Sequence, residues 1–243
     1  MANVWTIAKR EYKHFFTSPI AYAVAFMIFV ILGILFYATI VSASYQQYAP
    51  EIQVVLSPLV TLLLFTTPAV TMRSLAEENK SGTLELLLTA PVRDWELVSG
   101  KWLGNFLFVL TIIAVSWIYP LILNQVVQPG IDQGMLVAGY VGVLLLSAAI
   151  LGVGVAISSM FNNQIAAFFV TLGVLLVLWM INVPSQAAGG IGSEILRYID
   201  FGEHYYNSFA QGIIELKDVV YYLSVTFLTL FLGTMSVETR RWR

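Results

Sequence analysis

Long runs without a single Asp, Glu, Lys or Arg alternate along this chain with short charged stretches. A helix that crosses hydrocarbon needs about 20 predominantly apolar residues. Six stretches fit, at about residues 20–41, 52–71, 102–124, 136–158, 164–183 and 219–237. A short polar hairpin separates the first two. Asn162 and Asn163 mark the turn inside the uncharged run 133–193, which is long enough for two spans. The pattern predicts an all-α polytopic membrane protein with six transmembrane helices, forming one transmembrane domain over residues 1–243.

The first run has two readings. Lys9, Arg10 and Lys13 precede it, and Val41-Ser42-Ala43 resembles a small-residue cleavage site, as in a secretory signal. A signal core is about 7 to 15 residues, however, and this run is about 22. An uncleaved first span is the better fit.

Composition agrees with the spans. Of the 243 residues, 58% are hydrophobic and 11% charged, whereas soluble domains carry about 25% charged residues. So few charges cannot cover a water-facing surface. The formal net charge of -2 and the lack of a basic stripe argue against nucleic acid as a partner. The absence of cysteine removes disulfides, thiolate metal sites and thiol nucleophiles.

Cytoplasmic loops near span ends are enriched in Lys and Arg. Lys9, Arg10 and Lys13 precede the first span, Arg73, Lys80, Arg93 and Lys101 lie between the second and third, and Arg240, Arg241 and Arg243 follow the sixth. The opposite side holds only Arg197 and Lys217. The split predicts both termini in the cytoplasm, and an odd number of spans would break it.

Two segments do not span. Loop 73–101 is centred on Glu77-Glu78-Asn79-Lys80-Ser81-Gly82-Thr83-Leu84-Glu85-Leu86-Leu87-Leu88-Thr89-Ala90-Pro91. Ser81 or Thr83 can cap a short helix that Pro91 ends, and Asp94 can cap the helix entering the third span. The leucine run is too short to span and too apolar to leave in water, so it docks on the membrane underside, on its own protein or on a partner. Segment 184–218 lies on the outer side and carries Tyr198, Phe201, His204, Tyr205, Tyr206 and Phe209. Such aromatics favour the headgroup region. Glu194, Arg197, Asp200 and Glu203 make a seventh crossing expensive, which predicts short outer or partly re-entrant helices. Upstream, Trp5, Ala8, Tyr12, Phe15 and Phe16 recur at helical spacing beside Lys9, Arg10 and Lys13, the pattern of an interfacial helix within residues 1–18 or of a simple anchor helix.

The loop pattern of Glu77-Glu78, Gly82-Thr83-Leu84-Glu85, the leucine run, Thr89-Ala90-Pro91 and Lys101 before a span resembles the ABC-2 (type-2 exporter) permease family. The opening Lys9-Arg10-Glu11-Tyr12-Lys13-His14-Phe15-Phe16-Thr17-Ser18-Pro19 is similar to its gliding-motility branch, as are His204-Tyr205-Tyr206-Asn207-Ser208-Phe209 and the closing Glu238-Thr239-Arg240-Arg241-Trp242. The resemblance covers nearly the whole chain. It implies an ATP-driven exporter in the inner (plasma) membrane of a bacterium. It also implies a coupling helix within 77–89 that seats in a separate ABC ATPase, with Glu77, Glu78, Thr83, Leu84, Glu85, Leu86, Leu87 and Leu88 as its contact residues. A second permease chain, identical or related, follows from the same resemblance, as does a possible further membrane-anchored extracytoplasmic subunit. Tyr205, Tyr206 and Phe209 are then candidates for an outer gate or a docking surface.

The chain itself has no Gly-x-x-x-x-Gly-Lys-Ser/Thr loop, since its one Gly-Lys pair, Gly100-Lys101, is followed by Trp102. No cofactor is expected in this chain, and ATP and magnesium belong to the partner ATPase. Ala148, Gly152 and Ala156 have the small-residue spacing of a close helix contact, within the chain or at a dimer seam. Rival classes meet specific absences. An ion-coupled transporter generally carries ionisable groups at depth, and an intramembrane hydrolase needs a Ser-His pair or metal ligands. The two histidines, His14 and His204, lie outside the spans on opposite faces. A non-transporting scaffold is the main alternative, because nothing in the apolar spans demonstrates solute movement, and an ion-coupled secondary transporter stays open behind it, since some bind ions through backbone and hydroxyls alone. Thr61, Thr66, Thr67, Thr71, Ser116, Asn124, Gln125, Asn182, Thr226 and Thr229 are candidate path-lining groups, although such residues more often serve helix packing or bond the backbone.

Overall fold

The computed structural model describes residues 2–81, 92–183 and 191–241. Among these residues the chain is all-helical, with eleven α-helices, one 3-10 turn and no strand. They are α1 (Ala2–Phe15), α2 (Pro19–Gln46), α3 (Gln53–Thr71), α4 (Ala76–Ser81), α5 (Asp94–Ser116), α6 (Ile118–Val126), α7 (Gln133–Met160), α8 (Gln164–Met180), α9 (Ile191–Ile199), α10 (Phe201–Tyr206), the 3-10 turn Phe209–Gln211, and α11 (Leu216–Arg241).

Five helical stretches are long and apolar enough to cross a membrane: Pro19–Gln46, Gln53–Lys80, Asp94–Val126, Gln133–Met160 and Leu216–Arg240. The expected fifth span, 164–183, is occupied by α8, an apolar helix of 17 residues. Local chemistry explains most boundaries. Pro19 occupies the first position of α2, where its missing N–H is harmless. Asp132 caps α7 by accepting the Gly134 and Met135 N–H groups at 2.7 and 3.1 Å. Asn163 caps α8 through the Ile165 N–H at 2.9 Å. The third span differs from its expected limits. It begins at Asp94, so Asp94 lies inside the helix and Glu96 reaches back to the Arg93 N–H at 3.1 Å. It also breaks at Trp117. Pro120, three residues on, has no N–H to give the Ser116 carbonyl, which interrupts the ladder.

The bundle is organised around α7. Of its most apolar stretch 83% is buried within the chain, against 22% for α2. Helix α7 packs against α3, α5, α8 and α11, and Leu56, Leu59, Leu63, Phe108, Ile112, Val143, Leu146 and Ile150 are buried among them. The Ala148, Gly152, Ala156 stripe serves contact inside the chain: Gly152 faces Thr229 and Ala156 faces Gly233, both on α11. Helix α1 packs along α5, from Glu96 to Thr111.

Candidate functional site

The contact between α1 and α5 depends on Gly100 and Gly104, one turn apart on α5. A Cβ on Gly104 would stand 2.5 Å from the Glu11 Cβ, and one on Gly100 would stand 2.8 Å from Ile7. Only bare backbone lets α1 come this close. Ala8 is fully buried there, Phe15 stacks on Phe108 at 4.5 Å, and Tyr12 shares a 3.0 Å hydrogen bond with Thr111. The residues expected to form an apolar membrane-facing stripe therefore divide. Ala8, Tyr12 and Phe15 pack on α5, while Trp5 and Phe16 stay exposed.

This approach seals Lys101 inside the protein. Its side chain is 2% exposed, and its ammonium lies 3.1 Å from Glu11 Oε1 on α1 and 2.8 Å from Glu78 Oε1 on α4. Arg10 adds longer contacts to Glu11 at 3.4 Å and Glu78 at 3.7 Å. A buried cation must be paired to be tolerated, and here its two counter-charges come from different helices. Lys101 thus links α1, α4 and α5 at one point. Arg73 closes the other side through Glu77 at 3.6 Å and Ser18 Oγ at 3.3 Å. Asn105 donates to Ser74 Oγ at 2.7 Å. Together these groups line a cavity of about 280 Å³ with polar walls and an apolar floor that includes Phe15, Ile20 and Val24.

Helix α4 is also fixed to the end of α7. The Leu75 and Ala76 N–H groups each donate to Ser158 Oγ at 3.1 Å, which satisfies orphan donors at the start of α4. Asn79 donates to the Phe161 carbonyl at 3.1 Å. Nearby, Arg240 bonds Asn162 Oδ1 at 2.6 Å and the Met160 carbonyl at 2.9 Å. Of the candidate coupling residues, Glu77 and Glu78 sit on α4 in this joint. Thr83, Leu84, Glu85, Leu86, Leu87 and Leu88 lie outside the described residues.

At the opposite end of α7, α9, α10 and the 3-10 turn form a cap of short helices. Tyr205 and Phe209 are fully buried. A Cβ on Gly142 of α7 would meet the Phe209 Cβ at 2.5 Å and the Tyr205 ring at 3.0 Å, so the cap is seated in a notch made by that glycine. Tyr205 and Phe209 are therefore anchors of the cap, and Tyr206, beside Trp179, is half-buried. Burial raises the phenols of Tyr205 and Tyr206 above their usual range. Asp200 caps α10 through the Glu203 N–H at 2.8 Å and accepts from the Asn182 N–H at 3.1 Å. Arg197 pairs with Glu203 at 2.5 Å, which raises the guanidinium further. His204 lies 2.6 Å from Asp218 and 2.8 Å from the Tyr198 carbonyl. Tyr221 and Tyr222 of α11 donate to the Ile199 and Phe201 carbonyls at 2.6 and 2.7 Å.

The cap meets α7 at Gly142 and the joint meets it at Ser158. At 1.5 Å per residue the two levels are about 24 Å apart, which approaches the thickness of a hydrocarbon core. Between them, candidate path residues turn inward to their own helices. Thr66, Thr67, Thr71, Thr226 and Thr229 donate to carbonyls four residues back at 2.7 to 2.9 Å. Among the described residues no group of three or more His, Asp or Glu side chains is placed to hold a metal ion.

Sequence reasoning missed Glu11 and Lys101 as a pair, and Asp218 altogether. The signal for the first was present in Gly100-x-x-x-Gly104, a close-contact spacing that brackets Lys101.

The ABC-2 family transporter protein model matches residues 5–233. The chain is also 23% identical over 188 residues to the probable ABC transporter permease protein NosY of Stutzerimonas stutzeri, an alignment covering 75% of this chain and 67% of that protein. Members of the family are membrane permeases that work with an ATPase, consistent with the multiple apolar helices seen here. With the match extending over most of its length, the chain belongs to the ABC-2 family of transporter proteins.

Proposed function

We propose that this chain is one transmembrane domain with six spans and both ends in the cytoplasm, and that it forms the substrate pathway of an exporter in a bacterial inner membrane. Helix α8, with the short turn that follows it, supplies the sixth crossing. The Lys and Arg distribution supports this orientation, with the joint inside and the cap outside. The pathway is completed by a second permease chain, and the gliding-motility branch, with its further extracytoplasmic subunit, is the closer functional analogue. The chain binds no cofactor of its own and leaves ATP and magnesium to its partner.

Coupling runs through residues 77–88. Leu84, Leu86, Leu87 and Leu88 provide the apolar contact to the ATPase, with Glu77, Glu78, Thr83 and Glu85 around it. The observation that carries this reading is the Lys101 linkage. A displacement of α4 is transmitted to α5 and α1 because one buried ammonium holds carboxylates from both flanking helices. The cap acts as the outer gate, held by Tyr205 and Phe209, with Tyr206 at its edge. Replacing Leu86 and Leu87 together by Glu tests the reading: the ATPase that co-purifies with the chain should be lost while the permease still inserts. An ATPase that stays bound and active would make the loop purely structural.

A further inference from the structure

His204 is on α10 and Asp218 is in the first turn of α11. Both side chains are removed from water, at 6% and 1% exposure. The hydrogen-bond geometry restricts their protonation. A backbone carbonyl can only accept, so the 2.8 Å contact to Tyr198 requires a proton on His204 Nε2. In a neutral imidazole that leaves Nδ1 as a bare lone pair, facing Asp218 Oδ1 at 2.6 Å. Two acceptors do not approach so closely without a proton between them. A second observation points the same way. Asp218 Oδ2 is buried and has no hydrogen-bond partner among the described residues, so an ionised carboxylate there has its imidazole neighbour as its near compensation.

We propose that His204 and Asp218 form a proton-binding site, occupied as imidazolium and carboxylate, whose proton latches the cap to α11. Nδ1–H donates to Asp218 and Nε2–H donates to Tyr198, so one ring holds α9, α10 and α11 together. Tyr221 stacks on the imidazole at 3.8 Å, a favourable neighbour for a cation. The other ionisable groups near the ring are Tyr198, Glu194 and Arg197 on α9, Asp200 at the cap of α10, Glu203 on α10, and Tyr222 and Lys217 on α11, with Glu215 paired to Lys217. Arg197 pairs with Glu203 and Lys217 with Glu215, each at 2.5 Å, and Lys217 also feels the Asp218 carboxylate through space. Loss of the proton leaves a buried carboxylate against a lone pair, and the cap then loosens over the adjoining cavity of about 400 Å³, which Asn207 and Ser208 also line. The inference concerns the cap alone and does not depend on what the chain transports.

The chain has two histidines and no cysteine, which makes the test clean. In the full-length His14→Gln protein, labelled with ¹⁵N-histidine and held in lipid nanodiscs, His204 gives the single imidazole spectrum. With Asp218 present, both ring nitrogens should be protonated. In Asp218→Asn, whose amide can donate to Nδ1, the ring should become the neutral Nε2–H form with the fold kept. Ser208→Cys, at a buried position, then reads the latch. Maleimide labelling rises with pH at any accessible thiol as the thiolate forms, so the Asp218→Asn background sets the baseline, and with Asp218 present the rise should be several-fold steeper. An unprotonated Nδ1 in the presence of Asp218 overturns the proton site, and labelling that rises with pH no more steeply with Asp218 than in the Asp218→Asn background overturns the latch.

Discussion

Replacing Lys101 with Met removes the cation that binds α1 to α4 and leaves two carboxylates facing an apolar side chain. Glu11 and Glu78 are only 17% and 16% exposed, so neither can be fully rehydrated in place. Breaking a buried ion pair by deleting one partner costs about 3 to 5 kcal/mol. Arg10 still lies 3.4 and 3.7 Å from the two glutamates, which sets the expectation at the lower end, about 3 kcal/mol. The triple variant Lys101→Met, Glu11→Gln, Glu78→Gln removes all three charges and should recover at least half of that loss, because the one cation left without its carboxylates, Arg10, is exposed to water. Steric-trapping measurements of unfolding in bicelles read these differences directly. A Lys101→Met loss below about 1 kcal/mol, the scale of a surface pair, would refute the buried linkage. A triple variant as unstable as the single one would show that side-chain packing, and not charge, holds the joint.

Two further substitutions probe the cap. Gly142→Ala forces a Cβ against Phe209 and Tyr205 and should destabilise the protein by about 1 to 3 kcal/mol, the range for overpacking; thermal unfolding unchanged from the parent would contradict the notch. Tyr205→Phe removes a buried hydroxyl that has no partner among the described residues and should leave stability at neutral pH equal or raise it by about 1 kcal/mol. Because burial raises the Tyr205 phenol, the folded state holds that proton more tightly than the unfolded chain. Its contribution is complete below about pH 10 and declines above it, so an alkaline unfolding series should fall less steeply in the Phe variant, and equal slopes would contradict the assignment.

The limits of sequence reading here have physical causes. Hydrophobic runs report burial without naming the neighbour, so α2, α3, α7 and α11 were legible as long apolar helices while the central place of α7 was not. Helix α8 extends only to Met180, short of its expected end, since hydropathy does not sense where a helix turns to meet Asp200. The stripe of Ala8, Tyr12 and Phe15 reads equally well as facing lipid or α5, and Gly100 and Gly104 decide between them only once the helices are set side by side. The cap aromatics were legible as a group. Their division into the buried anchors Tyr205 and Phe209 and the exposed Tyr198 depends on the notch at Gly142, a contact 67 residues away from Phe209 that no local pattern encodes. The same is true of Lys101, whose partners come from two other helices.

Coupling requires the joint and the cap to lie on opposite faces of the membrane, with the joint where an ATPase can reach it. The chain has no cysteine, so single cysteines introduced as Ser81→Cys on α4 and Asn207→Cys on the cap report each face in intact cells. With a membrane-impermeant maleimide, the cysteine at 207 should label from outside, and the one at 81 should label only after the membrane is opened. Labelling of the cysteine at 81 in sealed cells would place the joint on the outer side and contradict the account.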